Sequence, residues 1–425
     1  MRRTGIMGLA AGLFLLLAAG CSSELYRGER VTVELLNGAP DPAGEIQDHK
    51  LQVWSFYDPG AYNDIFTASR PGVEVETTLF EHSEAADAYL EAMADGTAPD
   101  VMIIDDSMLG SFNTLGALEN LNTPQFGEKF IQDRIPENYH SRYRMLGDAK
   151  WIALPLELPV AVTFYRYDLF QEAGLPYEPD ELGDYLQDPD NWLEAARTLA
   201  KKDIYLFQHD CEPADIMGWG NGYVNDRLLF ARTGPEYETA IELSREIAEQ
   251  GLSLNMSMWD KNGQEALRSG RLAMFYLGTW GAGSLEEWAP ETKGKWRVTK
   301  LPMNIYGSTG GAIALLPGRS NNKELAWEYI SGISSAGQPT SWVNRHPMLG
   351  GQDFEHVTAE AIANMKTQTS SPFDKAISER WTSFVKDAAD SNRPVKDMLL
   401  ELEQSINAQF AYQRKVILET ASDGR

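Results

Sequence analysis

Cysteine is almost absent from this 425-residue chain: there are two, Cys21 and Cys211. That excludes a disulfide framework, and Cys211 is expected to be a plain buried or half-buried thiol. Positive charge is also scarce, with 37 Lys and Arg against 62 Asp and Glu and a formal net charge of −25. Nucleic acids and anionic lipid surfaces both demand a basic face, so neither is expected as a partner. A bulky polyanionic ligand is disfavoured for the same reason. The six histidines (His49, His82, His140, His209, His346, His356) lie far apart, and none falls into His-Glu-x-x-His or similar spacing. No metal site is therefore expected. The chain has neither a phosphate-cradling Gly-rich loop ending in Lys-Ser/Thr nor a Gly-x-Ser-x-Gly nucleophile turn. Gly218-Trp-Gly-Asn-Gly222 is too short and too bulky for a dinucleotide loop. No cofactor is called for, and the chain does not read as an enzyme. Beyond residue 20, no apolar run approaches the roughly 20 residues that a membrane span requires.

What is present begins at the amino terminus. Arg2 and Arg3 precede a short unbroken apolar run that ends in Leu17-Ala-Ala-Gly-Cys21. A basic start, a short apolar core and a small-residue cleavage site make residues 1–20 a secretory signal. The Cys after Ala-Gly resembles the lipobox of bacterial lipoproteins, in which that residue is lipidated and becomes the first of the mature chain. Cys21 is thus the expected lipidation site, and residues 21–47, polar and scattered with Gly and Pro, read as a tether. Val31 to Leu36 could add a short edge strand to it. The anchor implies a domain working on the extracytoplasmic side of a membrane, periplasmic or at the cell surface. A chain of this length normally divides into more than one folding unit, since single cores stop growing near about 250–300 residues.

From Lys50 the pattern alternates strand and helix. Strands are expected at 50–57, 72–80, 100–105, 151–155, 161–165, 204–207, 271–277 and 312–316, from alternating or continuous apolar runs. Helices are expected at 83–94, 107–121, 191–202, 235–250, 262–269 and 321–331, and over most of the chain beyond 357. Residues 209–223, dense in Gly, Trp and acids, read as a loop. Alternation of this kind implies an α/β fold with parallel sheets covered by helices.

Aromatic residues gather at the ends of strands and in loops. Trp54, Phe56 and Tyr57 close the first strand; Trp219 and Tyr223 lie in the Gly-rich stretch; Trp280 follows a buried strand; Trp381 begins a late helix. Open α/β sheets bind ligands at the carboxyl ends of their strands. Flat aromatic faces there suit the C–H faces of sugar rings, and carboxylates such as Asp58, Asp105, Asp106 and Glu157 accept from hydroxyls.

Four stretches in this order resemble the carbohydrate class of extracellular solute-binding proteins, the maltose-type receptors of ABC importers. They are Ala94-Asp-Gly-Thr-Ala-Pro-Asp-Val-Met-Ile-Ile-Asp-Asp106, Ile152 to Leu175, Ser269-Gly-Arg-Leu-Ala-Met-Phe-Tyr-Leu-Gly-Thr-Trp280 and Gly310 to Ile330. Together the resemblance covers about residues 50 to 415. Arg166, where the family usually has Asn, and the acidic 209–223 stretch depart from its pattern. The resemblance implies a two-lobed α/β fold of the type II periplasmic-binding class with the ligand cleft between the lobes and a helical C-terminal region. Residues 48–155 plus 303–345 would form the N-terminal lobe and 156–302 plus 346–425 the C-terminal lobe. The chain would cross near Glu157, Lys300 and Arg345. By position, Trp280 would be a stacking platform, Glu157 a hinge acceptor, and Asp105 and Asp106 contacts from the first lobe. Trp54, Tyr57, Asp58, Trp219, Tyr223 and Trp381 would complete the walls, and Gly310-Gly311 would let backbone approach the ligand. The expected ligand is a di- or oligosaccharide, handed by a monomeric receptor to ABC permease subunits. The same fold binding a polyol, a glycerol phosphoester or a cationic solute, or signalling to a membrane kinase, is the alternative, and a glycoside-active enzyme the remote one.

Overall fold

The structure is a computed structural model that describes residues 49–336 and 346–423. The signal and tether segments, Cys21 and the crossing expected near Arg345 lie outside the described residues.

Among those residues, eight strands form two sheets. They are β1 (His49–Ser55), β2 (Val73–Leu79), β3 (Val101–Asp105), β4 (Leu154–Pro155), β5 (Ala161–Arg166), β6 (Met274–Gly278), β7 (Trp296–Thr299) and β8 (Ala312–Leu315). The first sheet has the order β2-β1-β3-β8-β4, and the second β6-β5-β7. β1 runs parallel to β2 and β3, whereas β8 is antiparallel to β3 and β4. In the second sheet both partners of β5 are antiparallel to it. The expectation of parallel sheets therefore fails there, for a topological reason. β5 leads away from the point where the chain leaves the first sheet, and β7 leads back toward it, so the two must oppose each other.

The second sheet is buried along β5 and β6 because each face carries a core of its own. Val162 and Phe164 join Phe275 and Leu277 on one face, and Tyr165 joins Met274 and Tyr276 on the other. Alternate residues of a strand point to opposite faces, so a sheet covered on both sides reads as a continuous apolar run. The first sheet has its own core, from Leu51 to Leu158 and from Ala312 to Ile333. Leu301 and Ile305 still pack with the second sheet. The chain thus re-enters the first core at Ala312, later than the crossing expected near Lys300.

Local elements depart from the sequence reading in three places. Residues 107–121 carry helical apolar spacing but form only a 3-10 turn, Asp106–Ser111, because Gly110, Ser111, Asn113, Thr114 and Gly116 are weak helix formers. Residues 204–207 form isolated bridges rather than a strand. The 209–223 stretch contains a helix, Glu212–Trp219, begun by Pro213 in its first turn and favoured there by Glu212 and Asp215. The C-terminal helices Asp374–Ala389 and Val395–Gln409 pack Ile377, Val385, Leu399 and Leu402 into the core of the second lobe.

Candidate functional site

Strand directions bring one set of strand ends together. β6 ends with Gly278 opposite Ala161, the first residue of β5. β3 ends with Asp105 opposite Ala312, the first residue of β8. Backbone bonds tie these ends to the crossing segments: Leu156 N–H to the Ala312 carbonyl at 2.9 Å, Ala161 N–H to Gly307 at 2.9 Å, and Thr279 N–H to Val160 at 2.9 Å. A cavity of about 870 Å³ opens above this junction.

One wall comes from the first lobe. Phe56 and Tyr57 follow β1, His82 begins a helix, Asp105 closes β3 and Glu157 lies on the crossing. The other wall comes from the second lobe, chiefly the Glu212–Trp219 helix, the Ser257–Trp259 segment, Tyr276 and Trp280. Glu212, Asp215, Ile216 and Trp219 recur at the three- and four-residue spacing that aligns one helix face, and all four line the cavity. Thr309, Gly310 and Gly311 form its floor. The Trp280 indole N–H donates to the Gly310 carbonyl at 2.8 Å. Gly310 takes φ +61°, and an added Cβ would stand 3.0 Å from the Trp280 ring. Glycine there admits the tryptophan, a role different from the direct ligand approach expected of it. Trp259, 59% exposed, lies at 6.0 Å from Trp280 and edge-on to Trp288 at 5.1 Å.

Charges around the cavity are predominantly acidic. Burial works against the Asp105 carboxylate, but His82 and Ser107 hold it below its ordinary range. The Asp105 carboxylate, 3.7 Å away, raises His82 in turn. Burial, with Asp105 nearby, pushes Glu157 up to about 7. Burial also pushes Glu212 up to about 7, although His209 and Gln208 favour its charged form. Glu212 accepts from Gln208 N–H at 2.9 Å and from its side-chain amide at 2.7 Å. The Gln208 side-chain oxygen accepts from Met258 N–H at 2.8 Å, which fastens the Ser257–Trp259 segment to the helix. His209 lies 3.6 Å from Asp215, whose carboxyl burial raises.

Of the residues singled out from sequence, Tyr57, Asp105, Glu157, Trp219, Trp280, Gly310 and Gly311 line this cavity. Asp106 and Tyr223 line a smaller adjoining chamber of about 220 Å³, which shares Asp105, Trp219, Thr309 and Gly310 with the cavity. Asp106 is held there by Arg142 at 2.9 Å, and Tyr223 carries the Arg232 guanidinium 3.6 Å above its ring. Three residues are placed elsewhere. Trp54 packs on Phe80 and Tyr89 in the first core, at 4.9 and 5.6 Å. Asp58 accepts from Gly60 N–H at 2.8 Å at the start of a helix. Trp381 is 2% exposed and meets Tyr237 edge-on at 5.5 Å in the second core, so its ring is closed to any ligand. Sequence reasoning missed His82, Gln208, Glu212, Asp215, Met258, Trp259 and Tyr276. The i, i+3, i+4, i+7 spacing from Glu212 to Trp219, opened by a proline, was the one signal in the chain that pointed to part of them.

Another recess, of about 880 Å³, lies against the C-terminal helix Ala411–Asp423, but among the described residues no aromatic lines it and no strand ends there. The cavity at the strand ends is the candidate site.

A profile described as bacterial extracellular solute-binding protein matches residues 61–351. The chain belongs to that family. Among curated relatives, putative binding proteins of Brucella abortus (strain 2308) and Brucella suis biovar 1 (strain 1330) are each 21% identical over 295 residues, 62% of this chain. The match spans 65% of the length of these relatives. Solved structures share the fold at low identity. The ABC-transporter-associated binding protein of B. animalis subsp. lactis, in complex with beta-1,6-galactobiose, has a TM-score of 0.68 at 18% identity, covering 87% of this chain and 99% of that one. The galacto-N-biose-/lacto-N-biose I-binding protein of Bifidobacterium longum reaches 0.70 at 19%, with coverages of 86% and 98%. A sugar-binding protein from Xanthomonas citri reaches 0.68 at 18%, with 86% and 98%. The family is one of solute-binding proteins, and the fold is the two-lobed type II binding-protein fold. Among the described residues no helix is long and apolar enough to cross a membrane.

Proposed function

We propose that this protein is an extracytoplasmic receptor that captures a di- or oligosaccharide by closing its lobes and presents it to an ABC importer. Cys21 would carry the lipid that holds it at the membrane. The observation that carries the reading is the cavity between the lobes, which Trp280, Trp219 and Trp259 line beside carboxylates on both walls. Its volume of about 870 Å³ lies near the top of the usual range for small-molecule sites, roughly 300–1,000 Å³, with room for more than one ring.

The mechanism is a shift of population. A ligand that touches both walls only when the lobes close favours the closed form by its differential affinity. Closure excludes water, which strengthens hydrogen bonds from sugar hydroxyls to Asp105 and Glu157. Trp280 stacks on a ring face, and its bond to Gly310 fixes the indole before the ligand arrives.

A thermal-shift screen of residues 22–425 against mono-, di- and oligosaccharides, polyols and polyamines tests this. Ligand at ~100 times its Kd stabilises the fold by about 2.7 kcal/mol, a clear rise in melting temperature. The expected result is a shift with one saccharide family, reduced roughly tenfold in affinity by Trp280→Ala. A flat response to every saccharide would overturn the carbohydrate reading. Lipidation is checked by mass spectrometry of the membrane-bound protein, where Cys21→Ser should release it.

A further inference from the structure

Among the described residues, four carboxyl groups line the main cavity: Asp105 and Glu157 from the first wall, Glu212 and Asp215 from the second. Among the described residues lining it, none is a lysine or arginine. The basic side chains there are His82 and His209, and each has a carboxylate of its own wall beside it. His82 lies 3.7 Å from Asp105 and His209 3.6 Å from Asp215. Neither pair involves Glu157, which is left without a cationic partner among the described residues, whereas Glu212 has His209 close enough to favour its charged form. Glu212 is oriented by Gln208. Glu157 has neither a hydrogen bond nor an ion pair among the described residues, and it stands on the crossing where closure excludes water.

A carboxylate moved out of water needs a partner, and a hydroxyl supplies a donor but no charge. A protonated amine supplies both, and its hydrogen bond to a carboxylate is about twice as strong as a neutral one. Tryptophan rings also attract cations, and Trp219, Trp259 and Trp280 line the cavity. The breadth of the cavity and its aromatic walls call for a ring-bearing ligand, not a thin flexible polyamine. We infer that the ligand of this cleft is a basic saccharide, a di- or oligosaccharide with a protonated amine received by Glu157. The inference rests on the receptor function proposed above and names the ligand class of that same site.

The test is titration calorimetry of the full mature chain at low and high salt near neutral pH. The probes are glucosamine and galactosamine oligosaccharides, their fully N-acetylated counterparts, the neutral gluco- and galacto-oligosaccharides of the same linkage, and spermidine. The amine forms should bind roughly tenfold or more tighter than the other two saccharide sets, the size of one charge-assisted hydrogen bond. The advantage should shrink as salt rises. Glu157→Gln should remove most of that advantage, so that amine and neutral saccharides bind the variant with affinities within about threefold of each other. The wild-type comparison decides even where the variant fails to fold. Neutral or N-acetylated saccharides binding as tightly as the amine forms would overturn the inference and leave the saccharide receptor standing. Binding of spermidine with no saccharide would overturn both. Absence of binding by every amine-bearing saccharide would overturn the inference as well.

Discussion

At the residue scale, Arg142 is the side chain on which the floor of the cleft depends. Its Nε donates to Asp106 at 3.0 Å, and its Nη1 to Ser308 at 3.1 Å and to Gln368 at 2.9 Å. Gln368 in turn donates to the Trp219 carbonyl at 2.8 Å. One guanidinium thus links the end of β3, the returning crossing and the cleft helix. Asp106 is 5% exposed, so removal of its partner leaves a charge buried and unpaired. Arg142→Ala should cost about 3–5 kcal/mol in urea unfolding, and Arg142→Lys less, since it keeps the charge but not the fork. A loss below about 1 kcal/mol would show that water in the adjoining chamber satisfies Asp106 instead. Asp106 was legible from sequence as an acid at a strand end. Its pairing was not, because Arg142 lies 36 positions away on an irregular stretch and no local spacing joins the two.

At the element scale, the segment Ser257–Trp259 is shaped by the helix that follows it, Lys261–Ser269. Asp260 caps that helix by accepting from Asn262 and Gly263 N–H at 2.9 Å each. Gly263 is packed so closely that an added Cβ would stand 1.9 Å from the Ser257 carbonyl oxygen. Backbone cannot yield there without moving Met258 and Trp259, which line the cavity. Gly263→Ala should therefore destabilise the protein by about 1–3 kcal/mol and weaken ligand binding, measured by melting and by calorimetry. Unchanged affinity in a destabilised variant would show that Trp259 contributes nothing to the site. The same scale explains why the sequence of the cleft helix resembles a loop. Three glycines after Met217, at 218, 220 and 222, and a stretch of mixed acids and aromatics outweighed a helix of eight residues. Its stability comes from packing Ala214, Ile216 and Met217 into the second core, which propensity does not report.

At the scale of the whole molecule, burial of acids makes stability depend on pH in an uncommon direction. Glu157 and Glu212 titrate near 7 and Asp374 near 6 in the folded protein, each raised first by burial. In the unfolded chain such groups return to about 4. Between those values the folded state holds more protons than the unfolded one, so stability falls as pH rises through the folded values. His82, raised by Asp105, acts in the same direction, whereas His346, lowered by burial, opposes it. The ligand-free protein should melt several degrees lower at about pH 8 than at about pH 5.5, and Glu157→Gln should flatten part of that slope. Stability that climbs over this interval would contradict the burial assigned to these carboxyls. The fold class, the cleft-facing ends of β3 and β6, and Trp280 were all readable in the chain, because buried strands and the residues that terminate them are local patterns. The sequence alone determined which segments are apolar enough to form two cores. The tertiary structure decided the direction of the second sheet, the burial of Trp54 and Trp381, and the meeting of Glu157 with Glu212 around one cavity. Those outcomes follow from where the chain crosses between lobes, and a crossing acts on residues far apart in sequence.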